Sequence, residues 1–389
     1  MDNLTGKTVL VTTTIRVPIF LEGVCENAIR YGHRDVACLV IGDVKTPPET
    51  RQFCRGLTER FGVPVLYLDV SDQERAFADH TELLKFIPKN STSRILLGNL
   101  LVYQSGCERL IIMLDDDFVT DIDFFGSHRI AGETREINLI ETPSGWYNVH
   151  ELAIEERGIP FYARGYPWSK RTPQPQERII RRHSARIVVN QGLLLEDPDV
   201  DALTRLFWPI RATGMDTHLG EHVGLAPGTW CPFNIDDTAF ARELIPVYCL
   251  VPSLARNDDI WASYLITRLA EHRGEVISYG YPLVKQLRNP QSLWANLAGE
   301  VVNNRATDHF VTLIRSVPLS GDSYAALLDE LLDQCQERLH EMRDLPLDEA
   351  EMMEWFFNDY RTWQRLVPAV VSSSAASPSL YTKHLRTVS

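Results

Sequence analysis

The first 117 residues constrain this chain most. Four short apolar runs, at residues 8–13 (TVLVTT), 36–41 (VACLVI), 63–70 (VPVLYLDV) and 109–114 (RLIIML), alternate with helix-length segments near 20–31, 49–61 and 91–105. Strand and helix alternating in this way predict a mostly parallel sheet covered by helices. Such sheets bind ligands at the carboxyl ends of their strands. Thr13 and Arg16 fall at the first such end, Asp43 at the second, and Asp115-Asp116-Asp117 at the fourth. With 389 residues the chain can bury a large core without staples.

The stretch from about 130 to 300 is less regular and rich in Pro, Gly and Trp, as loops around a site are. Residues 172–183, basic and proline-bearing, read as a solvated loop. From Tyr324 a helical period returns: Tyr324, Leu327, Leu328, Leu331, Leu332, Cys335 and Leu339 share one face, and a second helix follows over about 349–366. The expected division is a nucleotide-binding domain at 1–310, a helical extension at 311–370 that could support a homo-oligomer, and a disordered tail at 371–389.

Charge and cysteines narrow the function classes. The 39 Lys and Arg against 52 Asp and Glu leave −13, which disfavours nucleic acid as a partner. Seven cysteines without a CxxC fit neither a disulfide framework nor a zinc ribbon, and point to a reducing cytoplasm. No apolar run approaches a membrane span, and the first residues do not resemble a signal peptide.

The acidic triplet is the strongest chemical signal. Adjacent carboxylates repel unless a cation sits between them. At the tip of a buried strand Asp115 and Asp117 point the same way, and so could share Mn²⁺ or Mg²⁺ with a diphosphate, a DxD arrangement. A second motif, His218-Leu219-Gly220-Glu221-His222, matches the HxxEH of zinc peptidases, but Gly220 and the nearby Gly224 and Pro227 argue against the helix it needs. No GxGxxG follows the first strand, and neither a Walker loop nor a GxSxG occurs. Asn257-Asp258-Asp259-Ile260-Trp261 reads either as an acidic helix start or as carboxylates aimed at a sugar.

Five stretches, in order, resemble the reversibly glycosylated polypeptides, the UDP-arabinopyranose mutase family. They are the acidic triplet, Arg164-Gly165-Tyr166-Pro167-Trp168-Ser169-Lys170-Arg171, residues 190–204 (NQGLLLEDPDVDALT), residues 231–240 (CPFNIDDTAF), and Asn257-Asp258-Asp259-Ile260-Trp261. The resemblance implies a GT-A-like, Rossmann-like fold with a C-terminal helical extension. It also implies a UDP-sugar substrate and pyranose–furanose interconversion. The arginine matching the family's glycosylated residue is Arg171, with Arg164 its companion and Asp258 or Asp259 able to take a proton from it. Asp115 and Asp117 would hold the metal, and Thr13, Arg16, Asp43, Asp116 and Asn234 the nucleotide. The chain departs from the pattern after Arg171, where Thr172-Pro173 and a longer basic insertion follow. It departs again at 280–290, where Lys285, Gln286 and Arg288 stand in a span without the family's histidine. A retaining glycosyltransferase acting on a small-molecule or glycan acceptor, or a silent nucleotide-sugar-binding subunit, are the alternatives.

Overall fold

Residues 8–13 become the central strand β1 (Thr8–Thr14), buried along nearly its whole length. The protein is described by a computed structural model over residues 4–172, 174–254, 256–288, 290–342 and 344–372. The expected tail at 371–389 therefore lies outside the described residues from 373 onward, as do Pro173 and Asn289. After β1 come α1 (Leu21–Arg30), β2 (Val36–Gly42), α2 (Thr50–Phe61), β3 (Val65–Leu68), α3 (Val70–Ala76), α4 (Thr81–Phe86), α5 (Ile95–Gln104) and β4 (Arg109–Ile112). β1 pairs in parallel with both β2 and β4, and β2 with β3. Helix α5 is buried on nearly every side. Gly98 lets it lie against the sheet: a Cβ there would stand 2.6 Å from Val11 and 2.8 Å from Ile41.

Beyond β4 lie β5 (Asp117–Val119), α6 (Phe124–His128), β6 (Thr134–Glu141), β7 (Ala153–Glu155), β8 (Ile179–Glu196), α7 (Ala202–Phe207), β9 (Ala212–Met215), β10 (His222–Leu225), β11 (Thr238–Ala241), α8 (Asp258–His272) and β12 (Val276–Gln286). The main sheet order is β3-β2-β1-β4-β11-β8-β6-β10-β12-β5. It is parallel through the β3-β2-β1-β4 half and mixed after it. β8 ties the halves together. Residues 179–186 pair with β6, while the later part pairs with β11 on one side and β12 on the other. Residues 179–183, expected as loop, are thus the exposed end of this strand.

Three helices end the described residues: α9 (Leu293–Ser316), α10 (Tyr324–Leu339) and α11 (Leu347–Ser372). α9 runs through residue 310, the expected domain boundary. The apolar faces of α10 and α11 are buried in the same core cluster that contains β1 and α5. Trp363 Nε1 donates to the Pro246 carbonyl at 2.8 Å, and Gln104 Nε2 to that of Val370 at 2.7 Å. Those faces are therefore occupied within the chain, and self-association would have to use their outer sides. The seven cysteines are buried free thiols. Among the described residues no helix is long and apolar enough to cross a membrane.

Candidate functional site

β4 stops at Ile112, and Asp115 and Asp116 form a turn before β5 begins at Asp117. Strand alternation does not run through the triplet, because the chain reverses there to pair with β12. The two expected metal ligands consequently meet different neighbours. Asp115 Oδ2 accepts from Thr14 Oγ1 at 2.9 Å. Asp117 is fully buried, and its Oδ2 accepts from the Leu114 amide at 3.1 Å.

Asp117 stands opposite Gln286 in the β5–β12 pairing, and Gln286 Nε2 donates to Asp236 Oδ2 at 3.2 Å. Asp237, next in the chain, meets His128 Nε2 at 2.7 Å through Oδ1. Among the described residues each of these three buried carboxylates keeps one oxygen without a hydrogen bond: Oδ1 of Asp117, Oδ1 of Asp236 and Oδ2 of Asp237. Burial, and then the neighbouring charges of Asp236 and Asp116, push the Asp117 carboxyl well above its ordinary range. Burial and then Asp199 raise Asp236 to about 7. Buried acids with bare oxygens are costly unless a cation or a proton meets them.

Such a donor set suits a hard divalent cation, which is commonly held by one or two carboxylates with substrate phosphates completing its shell. Among the described residues no three His, Cys, Asp or Glu side chains gather closely enough to hold an ion alone. The remaining ligands would have to come from the substrate.

An arginine frame adjoins this acidic pocket. Arg164 is buried and donates through Nε to both oxygens of Asp199 and through Nη1 and Nη2 to Asp259, with Nη1 also meeting Asn257 Oδ1. Asp199 accepts in addition from Asn234 Nδ2 at 2.9 Å and Arg288 Nη2 at 3.2 Å. Burial alone would raise the Asp199 carboxyl, but Arg164, Arg288 and Arg205 together hold it well below the usual range. Asn234 Oδ1 takes Gln191 and the Asp236 amide, joining the frame to the acids. Asp258, half-buried beside Asp259 at the start of α8, is raised to about 7 by burial and then by Asp259.

Arg171 lies 12% exposed in its side chain. Its Nη2 donates to Asp201 Oδ2 at 2.8 Å, and its guanidinium stacks over the Trp168 ring at 3.8 Å. Nε and Nη2 also reach the Tyr166 carbonyl. Nη1 has no hydrogen bond among the described residues. The carboxylate beside Arg171 is thus Asp201, and Asp259 serves Arg164 instead.

Among the described residues four non-glycine residues have positive φ, and three of them, Glu196 (66°), Asp237 (54°) and Asn257 (61°), border this network. Conformations of that kind cost about 1–3 kcal/mol each and persist where the surroundings impose them. Asp237 also lies against Gly192, where a Cβ would come within 1.8 Å of its Oδ2.

The remaining expected residues lie at the same strand edge but face their own loops. Thr13 Oγ1 donates to the Ile41 carbonyl at 3.0 Å. Asp43 is buried and accepts from the Val44 and Ser91 amides. Arg16 is exposed, its amide bonded to Thr14 Oγ1. His218 is exposed, Gly220 has φ +110°, and His222 begins β10, so the HxxEH residues share no helix.

Sequence reasoning gave no role to Asp199, Asp201, Asp236, Asp237 or His128. The spacing Asp199-x-Asp201 was a usable signal, because it supplies one carboxylate to each arginine. His128 had none.

The model of the family described as "Reversibly glycosylated polypeptide" matches residues 68–366. "Probable UDP-arabinopyranose mutase 1" of Pisum sativum is 27% identical over 248 residues, covering 61% of this chain and 63% of its own. UDP-arabinopyranose mutase 3 of Arabidopsis thaliana is 28% identical over 188 residues, covering 47% and 48%. The chain thus spans less than two thirds of the length of these two relatives. Among solved structures, a mannosyltransferase from Pyrobaculum calidifontis, in complex with GDP-Man and Mn²⁺, aligns over 98% of this chain and 89% of its own. Its identity is 12% and its TM-score 0.38, a likeness too slight to carry an argument.

Proposed function

Because this chain belongs to the reversibly glycosylated polypeptide family, we propose that it is an enzyme of nucleoside-diphosphate sugars, with a UDP-sugar as substrate and pyranose–furanose interconversion as the reaction. The observation that carries this reading is the buried pair Asp117 and Asp236 at the carboxyl end of β4, each with one carboxylate oxygen that has no hydrogen bond among the described residues, where Gln286 stands opposite Asp117 and donates to Asp236. Two buried acids whose carboxyls are both raised hold protons that a divalent cation would displace, and a diphosphate is a ligand that brings anionic oxygens to complete the shell of such an ion. Asp117 and Asp236 would hold Mn²⁺ or Mg²⁺, with Gln286 between them. When bound, the ion would neutralise the diphosphate and make it a better leaving group.

The chain's own residues perform the remaining tasks. Arg164 is saturated by Asp199, Asp259 and Asn257, so it positions the loop carrying Arg171 and is not itself a nucleophile. Arg171 keeps one guanidinium nitrogen without a hydrogen bond among the described residues and lies over the Trp168 ring. As the anomeric C–O bond breaks, its electron pair leaves with the diphosphate, and a preorganised guanidinium nearby stabilises that charge. In the mutase outcome the sugar's O4 bonds to C1, the C1–O5 ring bond breaks with the proton passing from O4 to O5, and C1 then rebonds to the diphosphate oxygen, so that the nucleotide sugar is regenerated in its other ring form. Covalent capture by Arg171 Nη1 would require loss of a proton, and Asp201 is the carboxylate in hydrogen-bond reach to receive it.

The test is incubation with UDP-arabinopyranose and Mn²⁺, followed by mass spectrometry of nucleotide sugar and protein. UDP-arabinofuranose from the wild type, lost in Asp117→Ala, is the expected result. Furanose product that persists in Asp117→Ala removes the cation reading. UDP binding without turnover of any UDP-sugar in a panel leaves a binding subunit in its place.

A further inference from the structure

β12 ends on Gln286, and the pleat turns this side chain inward: Lys285 and Leu287 on either side of it are exposed, while Gln286 is 1% exposed. It stands directly opposite Asp117 across the β5–β12 pairing, so the two side chains leave the same face of the sheet. Its Nε2 donates to Asp236 Oδ2 at 3.2 Å. Its Oε1 is buried and has no hydrogen bond among the described residues. A buried amide oxygen left bare is costly and calls for a partner.

The same holds for Oδ1 of Asp117 and Oδ1 of Asp236, the residues that Gln286 faces and touches. The direction of the amide follows from its neighbour. An ionised Asp236 only accepts, so it draws Nε2 towards itself and leaves Oε1 to another partner. Burial of these oxygens does not bar an ion, because a small divalent cation bonds oxygen at about 2.1 Å, closer than the about 2.8 Å of a water contact. Asp115 and Asp116, in the turn before Asp117, are only half-buried, so the group lies one residue from solvent.

We propose that Gln286 is a third protein ligand of the divalent cation, binding it through Oε1, and that the resulting set of two carboxylates and one amide, all oxygen, tilts the site towards Mg²⁺ and Mn²⁺. This rests on the cation reading above. The acids alone leave the rest of the shell to the substrate; the amide adds one donor from the protein, and phosphate oxygens supply the remainder. Residues 280–290 contain no histidine. An imidazole here would bring a nitrogen of the kind Zn²⁺ takes, whereas a neutral amide oxygen belongs with the donors of Mg²⁺ and Mn²⁺.

The test uses the full chain with UDP present and reads metal binding, not turnover. Mn²⁺ is titrated by electron paramagnetic resonance, and Mg²⁺ and Zn²⁺ by competition against it. Gln286→Leu weakens Mn²⁺ binding at least about tenfold. Gln286→His exchanges the donor. Zn²⁺ then gains on Mg²⁺ by about tenfold or more relative to wild type, and the pulsed spectrum of bound Mn²⁺ acquires the coupling of a directly bonded nitrogen that the wild type lacks. Gln286→Glu gives up the hydrogen bond to Asp236 but keeps an oxygen donor, so it binds Mn²⁺ at least as tightly as wild type; it serves if the other two do not fold. If Mn²⁺ binds Gln286→Leu as it binds wild type, if Gln286→His shows no nitrogen coupling, or if Gln286→Glu binds Mn²⁺ less tightly than wild type, the proposal is overturned while the cation reading stands. If wild type binds no Mn²⁺ even with UDP, the cation reading falls and this proposal with it.

Discussion

Arg171 donates through Nη2 to Oδ2 of Asp201 at 2.8 Å, while Oδ1 of the same aspartate caps α7 by accepting from the Thr204 amide. One carboxylate thus fixes the arginine and starts a helix. Asp201→Asn keeps an N-cap residue but removes the charge facing Arg171. Turnover of UDP-arabinopyranose, and any labelling of the protein, should fall at least about tenfold, equivalent to about 1.4 kcal/mol of barrier. Stability to urea should fall by less than about 1 kcal/mol. A variant with unchanged turnover would take Asp201 out of the chemistry.

Arg164→Lys should be among the most destabilising exchanges on the charged side chains. A lysine cannot reproduce the fork that serves Asp199, Asp259 and Asn257 together. It leaves buried carboxylates poorly paired, at a cost of about 3 kcal/mol or more. Urea unfolding reads this directly, and a loss under about 1 kcal/mol would show that the frame tolerates a point charge.

Without divalent ions, stability should fall as pH rises through neutrality. Asp236 has an ordinary value of 3.8 when unfolded and is raised to about 7 in the fold. Between these values the folded chain keeps a proton that the unfolded chain has lost. The stabilisation is full below about pH 4 and gone above about 7, with a slope of at most about 1.4 kcal/mol per pH unit. Asp236→Asn removes this slope. Its thermal midpoint relative to wild type should therefore improve from pH 5 to pH 8, and excess Mn²⁺ at pH 8 should raise the wild type alone. A constant difference across that range would contradict the raised carboxyl.

His222 should behave in the opposite sense. Burial, and then the charge of His128, lower its imidazole from 6.5 to about 4. The unfolded chain takes up a proton below about 6.5 that the fold refuses, so stability attached to this residue is lost as pH falls from 6.5 through 4. His222→Asn also forgoes the 3.1 Å contact with Asn190 Oδ1 and should cost stability at pH 7.5. That cost should shrink by pH 5, and a cost that grows on acidification would refute the lowered value.

What the sequence made legible follows from burial. β1, β2 and β4 are apolar runs buried on both faces, as strands of a helix-covered parallel sheet must be, so their residues announce them. Leu327, Leu328, Leu331 and Leu332 keep one helical stripe and are all buried. β8 was hidden because its first six residues are exposed and four of them, Arg181, Arg182, His183 and Ser184, are polar, so no apolar run longer than Ile179-Ile180 marks its start. The acidic triplet was visible, but the reversal at Asp115-Asp116 was not. The pairing of Arg164 with Asp199 and Asp259, 35 and 95 positions away, obeys no local period and emerges only when β8, α8 and the Arg164 loop meet.

The joining of Gln104 to Val370 and of Trp363 to Pro246 has a consequence for how the molecule is made. The outer surface of α5 is completed by a helix whose last turns are translated some 266 positions later. A growing chain on the ribosome therefore carries an unfinished, greasy flank on its earliest half throughout most of synthesis, the circumstance in which nascent proteins depend on chaperones. Truncations that stop before α11, however much of the sugar-handling machinery they retain, inherit that bare flank permanently.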